Sequence, residues 1–168
     1  MDAAPVTRRL WLVRHAEAQL ETEAGNDHAR TLTRRGTREA KRAADHFAML
    51  GWLPELILSS SAARARQTAE IIARRLELPA RKLQVLDSLY LADPHDLRTA
   101  VGDIGPRIAA LMLVAHNPGI SAFAQQLAPA AAMGSFETAG IGCFDFDAQS
   151  WPLIDFATLR ASRYEATR

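Results

Sequence analysis

Three apolar runs in this chain end in residues that suit anion chemistry. LWLVRHAEA (residues 10–18) ends its run in Arg14 and His15. LSSSAARARQTAEII (residues 58–72) delivers Ser59, Ser60 and Ser61 and then Arg64, and LVAHNPG (residues 113–119) delivers His116 and Asn117. Arginine forks match phosphate oxygens and stay charged at any working pH. An imidazole beside two arginines is held neutral, and so nucleophilic, near neutral pH. Such a histidine can attack phosphorus and form a covalent phosphohistidine, while the arginines and the second histidine stabilise charge on the equatorial oxygens. Taken singly, each residue has an ordinary reading: His15 a strand-end histidine with a satisfied hydrogen bond, Arg14 and Arg64 surface arginines, His116 part of a turn. Their agreement at three strand ends is what those readings leave unexplained.

The elements that would bring them together read as α/β. Residues 10–13, 55–60 and 110–116 read as buried strands, with a short strand in KLQVLDSL (residues 82–89). Residues 17–31 read as a loop with a turn at Gly25-Asn26-Asp27. A helix capped by Thr33 presents Ala40, Ala43, Ala44 and Phe47 to the core and stops at Gly51 and Pro54. A second, from about Ser61, carries an apolar stripe of Ala65, Thr68, Ala69, Ile72, Ala73 and Leu76. DLRTAVGDI (residues 96–104) suits a short helix, and Pro118 suits the first turn of another. IGCFDFD (residues 141–147) and PLIDFATL (residues 152–159) alternate as a late hairpin-like pair at one side of the sheet. If the strands are parallel, the polar ends share the carboxyl edge, where open α/β sheets bind ligands.

Composition bounds the rest. The 168 residues, 48% apolar and 23% charged, suit one soluble domain over residues 1–168. A net charge of +1 gives no general pull toward nucleic acid or acidic membranes. Lys41 and Lys82 are the only lysines, so arginine supplies nearly all the positive charge. With Cys143 alone there is no intrachain disulfide and no CxxC metal spacing. The apolar run within residues 1–15 is too short for a signal peptide, and cytoplasmic is the default location.

The motifs resemble the histidine phosphatase superfamily, whose fold is called phosphoglycerate mutase-like. LVRHAEA resembles its RHG signature, LSSSAARARQTAEII its second motif with an arginine before A-x-Q-T, and LVAHNPG its GHNPG motif. RTLTRRG (residues 30–36) resembles the R-P-L-T-x-x-G segment of the compact SixA-type phosphohistidine phosphatases. The resemblance implies a three-layer α/β/α sandwich with a mostly parallel central sheet. It implies a hydrolase of phosphoric monoesters or of phosphohistidine in a protein, working without cofactor or metal. It makes His15 the phosphate acceptor, Arg14 and Arg64 the pocket arginines, His116 the second pocket histidine, and Arg30 and Asn117 substrate contacts. Ala16 and Ala115 stand where the family has glycine; alanine is the mildest replacement and removes no catalytic group. The family's acid after the third strand has no clear counterpart in VLDSLYLADPHDL (residues 85–97). Ser88 stands near its place, and Asp87 and Asp93, with Asp96 behind, are the candidate proton donors. So compact a chain leaves little room for a lid. An open pocket admits a phosphorylated side chain on a protein surface and favours hydrolysis over mutase chemistry.

The alternatives are a phosphatase for a small phosphomonoester, a degenerate phosphoryl-binding module, and nucleic-acid binding through Arg30, Arg34, Arg35, Arg38, Lys41 and Arg42. The last competes with a solvated helix face balanced by Glu39 and Asp45, and lacks interleaved aromatics. His28, His46 and His95 read as loop or surface residues, and the five histidines lack zinc spacing. The expected partner is therefore a phosphorylated substrate, with no nucleic acid and no membrane.

Overall fold

A computed structural model describes residues 7–167. Residues 1–6, the start of the segment weighed as a leader, and Arg168 lie outside the described residues. Strand β1 (Thr7–Arg14) is followed by the single-turn α1 (Glu21–Ala24) and by α2 (Arg34–Met49). Then come β2 (Leu56–Ser60), α3 (Ala63–Arg75), β3 (Leu83–Leu86), α4 (Pro94–Gly102) and β4 (Ala110–Ala115). The chain ends with α5 (Gly119–Leu127), β5 (Ile141–Asp147) and β6 (Leu159–Glu165). The sheet order is β3-β2-β4-β1-β5-β6. The first four strands in that order are mutually parallel, and β5 and β6 are antiparallel to their neighbours.

Alternation along β1 and β4 builds a core on each face. Leu10, Leu12, Leu111 and Leu113 pack with residues of α4 and α5 and with Trp151, whereas Trp11, Val13, Met112 and Val114 pack with Ala40, Ala43, Ala44 and Phe47 of α2 and Ala65, Ala69 and Ile72 of α3. That is the expected three-layer sandwich with a mostly parallel sheet. Each fully buried leucine contributes roughly 1.5–3 kcal/mol. No helix among the described residues is long and apolar enough to cross a membrane.

Thr33 caps α2 as its position predicts, its hydroxyl accepting from Gly36 N at 2.9 Å. Gly36 lets that helix start lie against the chain just beyond β1: a Cβ there would fall 1.9 Å from Glu17 O. Pro118 differs slightly from expectation, standing one residue ahead of α5 as its N-cap. The hairpin is where expected but its second strand is not. Residues 152–159 form a short 3-10 turn from Trp151 to Leu153 and a bend, and the partner of β5 is residues 159–165. Pro152 has no N–H to give a ladder. Trp151 and Ile154 bury themselves against the core, and the Asp155 carboxylate accepts from Ala157 N and Thr158 N to close the bend. The apolar spacing there reflects anchoring of a turn, not a pleated strand.

Candidate active site

His15 immediately follows β1 at the carboxyl edge of the sheet, held on both sides. Its N–H donates to Ala115 O at 3.1 Å and its carbonyl accepts from Ala139 N at 3.2 Å. The ring Nδ1 lies 2.7 Å from Ala16 O. A carbonyl only accepts, so Nδ1 carries the proton and Nε2 presents a lone pair. That lone pair meets Arg64 Nε at 3.3 Å. Thr68 ties the two together: its hydroxyl accepts from Ala16 N at 3.1 Å and donates to Arg64 O at 2.7 Å. The stripe position read as core is thus a polar brace. The His116 ring stands 5.2 Å from that of His15, centroid to centroid, with Nε2 2.7 Å from Ser60 Oγ at the end of β2. Its buried Nδ1 makes no hydrogen bond among the described residues.

Both imidazoles are buried, His15 8% and His116 2% exposed. Burial is the first reason that His15 is lowered to about 4, with the charges of Arg64, Arg14 and Arg30 adding to it and the Ala16 carbonyl opposing it. His116 is lowered to about 3, again chiefly by burial and then by His15 and Arg64. The expectation that arginines keep the nucleophile neutral has the right sign and the wrong leading cause; desolvation leads.

Arg14, at the end of β1, donates through Nη1 to Phe136 O at 2.8 Å, and burial lowers its pKa. Arg64, from the first turn of α3, is buried and gripped by one residue. Nη1 donates to Asp27 O at 2.8 Å and Nη2 to Asp27 Oδ2 at 3.0 Å. Asp27 also accepts from Tyr90 OH at 2.6 Å and Arg30 Nη1 at 2.9 Å. The Tyr90 hydroxyl, then the two guanidiniums, hold this carboxyl well below the usual carboxylate range.

The structure therefore assembles Arg14, His15, Arg64 and His116 at one edge. The other expected residues land differently. Arg30 faces Asp27 and Gln19 O. The Asn117 amide is spent on α5 and the chain beyond it: Oδ1 accepts from Ser121 in the helix, and Nδ2 donates to Ser135 Oγ and Phe136 O. It positions the carbonyl that holds Arg14. Asp87 is exposed, and Asp93 forms the capping box of α4 with Asp96. Neither makes a hydrogen bond or ion pair with the four central residues among the described residues. His28, read as a loop residue, is exposed but lies at the rim, its Nε2 2.9 Å from Ser61 Oγ and its ring edge-on to Tyr90. His46, on α2, packs edge-on against Trp52, while His95 is exposed on α4. Asp27, Tyr90 and Thr68 were not singled out for the site. Only Thr68 left a trace, as the one polar residue in an apolar stripe. Of the cationic cluster, Arg35 pairs with Glu17 and Glu39, and Arg42 donates to Thr167 O. Those two guanidiniums are engaged by the chain itself.

Residues 10–100, just over half of the chain, match the model of the histidine phosphatase superfamily, branch 1. The chain belongs to that superfamily. Among solved structures, a candidate phosphohistidine phosphatase SixA from Agrobacterium tumefaciens superposes with a TM-score of 0.80 at 28% identity, over 95% of this chain and 97% of that one. The superposition confirms the phosphoglycerate mutase-like architecture. An uncharacterised chloroplastic protein of Arabidopsis thaliana is 32% identical over 133 residues, 74% of this chain and 61% of its own length. The adenosylcobalamin/alpha-ribazole phosphatase of Escherichia coli is 33% identical over 87 residues, 51% of this chain and 42% of its own. The chain thus spans about three-fifths, or less, of these curated relatives. Arg14, His15 and Arg64 lie within the matched residues, and His116 lies beyond them.

Proposed function

We propose that this chain is a metal-independent phosphatase that works through a phosphoryl group carried on His15, with phosphohistidine in a protein as its substrate. The observation that carries the reading is the orientation of His15. Nδ1–H is fixed on Ala16 O, and the Nε2 lone pair faces the buried guanidinium of Arg64. In the first step Nε2 attacks phosphorus, a P–N bond forms, and the bond to the leaving atom breaks. The leaving nitrogen or oxygen takes a proton from water. In the second step water attacks phosphorus, loses a proton, and returns the electron pair to Nε2, releasing inorganic phosphate. Arg14 and Arg64 supply the positive charge for the equatorial oxygens, and the neutral His116 contributes a polar N–H.

The substrate reading follows from proton donors. Asp27 is held as a carboxylate, Asp93 is committed to its helix cap, and Asp87 faces solvent. A pocket furnished in this way suits a leaving group that takes up a proton readily near neutral pH, as an imidazole does, better than an alkoxide. The E. coli relative, by its name, favours a small phosphomonoester as the second reading.

The test is phosphate release in chelator from p-nitrophenyl phosphate, from a phosphohistidine-bearing protein and from a panel of small phosphomonoesters, for the wild type and His15→Ala. The proposal expects turnover that vanishes in the variant, with preference for the phosphohistidine protein. Equal rates in both proteins sink the nucleophile assignment. Preference for a metabolite moves the substrate to the second reading. Tight orthovanadate binding with no turnover of any substrate marks a phosphoryl-binding module.

A further inference from the structure

We infer that Asp27 is a positioning residue of this pocket, with Tyr90 as its clamp: together they fix the Arg64 guanidinium so that Nε–H, not the fork, faces the nucleophile. The kinetic part of the inference rests on the phosphatase reading; the geometric part does not.

The argument is a count of donors. Arg64 has five N–H groups. One, on Nε, points at His15 Nε2. Asp27 takes one from each terminal nitrogen, using its backbone carbonyl for Nη1 and its carboxylate for Nη2. Gripping both ends of a planar group from one residue leaves the guanidinium no rotation about its long axis. Two N–H groups stay free for phosphoryl oxygens. Asp27 is itself immobilised. Tyr90 and Arg30 occupy its carboxylate oxygens, Arg30 is tied back to Gln19 O, and the neighbouring His28 carbonyl accepts from Ala63 N at the start of α3. The loop beyond α1 is thereby bolted to the helix that carries Arg64. The bridging carboxylate also offsets one of the three guanidinium charges near the pocket. Beside neutral imidazoles, that leaves a balance suited to a phosphoryl dianion.

Two simpler roles make different predictions. If Asp27 acted only through its charge, neutralising it would lower His116 further, because that charge raises it, and loss of a negative charge would not raise His15. If it acted only as a loop staple, its effect would not depend on Arg64. Release of Arg64 instead takes a cation away from His15 and raises its titration midpoint, since Arg64 lowers it.

The experiment follows the imidazole 15N shifts of the full chain through a pH titration. It compares the wild type, Asp27→Asn, Tyr90→Phe, Arg64→Lys and Asp27→Asn/Arg64→Lys. The expected result is an upward shift of the His15 midpoint in Asp27→Asn and a smaller one in Tyr90→Phe, with no further shift when Asp27→Asn is added to Arg64→Lys. An unchanged or lowered midpoint, or the same shift in the Arg64→Lys background, overturns the inference. Should Asp27→Asn fail to fold, Tyr90→Phe, which deletes a single hydroxyl, decides by the same criterion. With an active enzyme, Asp27→Asn should lose on the order of 10- to 100-fold in kcat/KM, and the double variant should be no worse than Arg64→Lys alone. Independent, multiplying losses overturn it. An inactive chain removes only this kinetic comparison, because the titration is read without turnover.

Discussion

Consider the protein unfolded by urea at a series of pH values from 8 down to 4. His15 is lowered from 6.5 to about 4 in the fold, so between those values the unfolded chain binds a proton that the folded chain refuses. Stability then rises with pH across the window. The His15 contribution is complete above about 6.5 and is lost as the pH falls toward 4, where the folded imidazole begins to protonate as well. Its full size is about 3 kcal/mol. His116, lowered to about 3, works in the same direction. Part of its depression is the charge of His15, so the pair contributes more than one imidazole and less than two independent ones. At its steepest the slope should approach about 2.7 kcal/mol per pH unit, two protons' worth. Asp27 titrates in a lower window: its carboxyl is depressed, so its contribution is present above about 3.8 and lost only as the pH drops below that. Tryptophan fluorescence is a suitable probe, since Trp11, Trp52 and Trp151 are all buried. His15→Gln keeps a polar side chain of similar length and should remove roughly half of the slope. A stability flat between pH 6.5 and 4.5, or an undiminished slope in His15→Gln, would refute the claim that burial keeps these rings neutral.

Three further outcomes are expected. Thr68→Val leaves Ala16 N–H buried without its acceptor; it should cost about 1–3 kcal/mol in urea unfolding, and phosphatase kcat should fall with it. Gly119→Ala places a Cβ 1.9 Å from Ala92 O, a backbone atom that cannot swing aside; a loss of about 1–3 kcal/mol is expected from the forced shift of α5, and an unchanged melting temperature would contradict it. Trp151→Ala empties a buried site whose indole donates to Ile108 O, ahead of β4 and so at the opposite end from His116. It should cost about 3–5 kcal/mol in stability yet leave orthovanadate affinity within a few-fold of wild type.

Much of this molecule was legible because its architecture repeats short-range rules. The apolar stripes of α2 and α3, the Thr33 cap and the continuous apolar runs of β1, β2 and β4 are each decided within a few residues, and they suffice to stack the layers. The polar strand ends were legible for the same reason: Arg14 and His15, Ser60, and His116 each sit one or two residues beyond an apolar run, and Arg64 follows in the first turn of α3. Residues 152–159 misled because a turn that buries Trp151 and Ile154 has the spacing of a strand. Only the hydrogen bonds of Asp155 and the missing N–H of Pro152 tell the two apart.

What the sequence hid is of another kind. Asp27 meets Arg64 across 37 positions and Tyr90 across 63. No periodicity links such residues, and Asp27 read locally as part of a turn. The same holds for the cause of the imidazoles' neutrality. Arginines next to a histidine can be read in a string; desolvation cannot, because it is a property of the two cores and of the loops that close over the sheet edge. The pocket's chemistry thus has two sources. Its reactive groups are delivered by local patterns at strand ends. Their electrical state and their aim are set by burial and by long-range polar contacts, and a substitution outside the motifs, at Asp27 or Tyr90, should therefore alter the nucleophile as surely as one beside it.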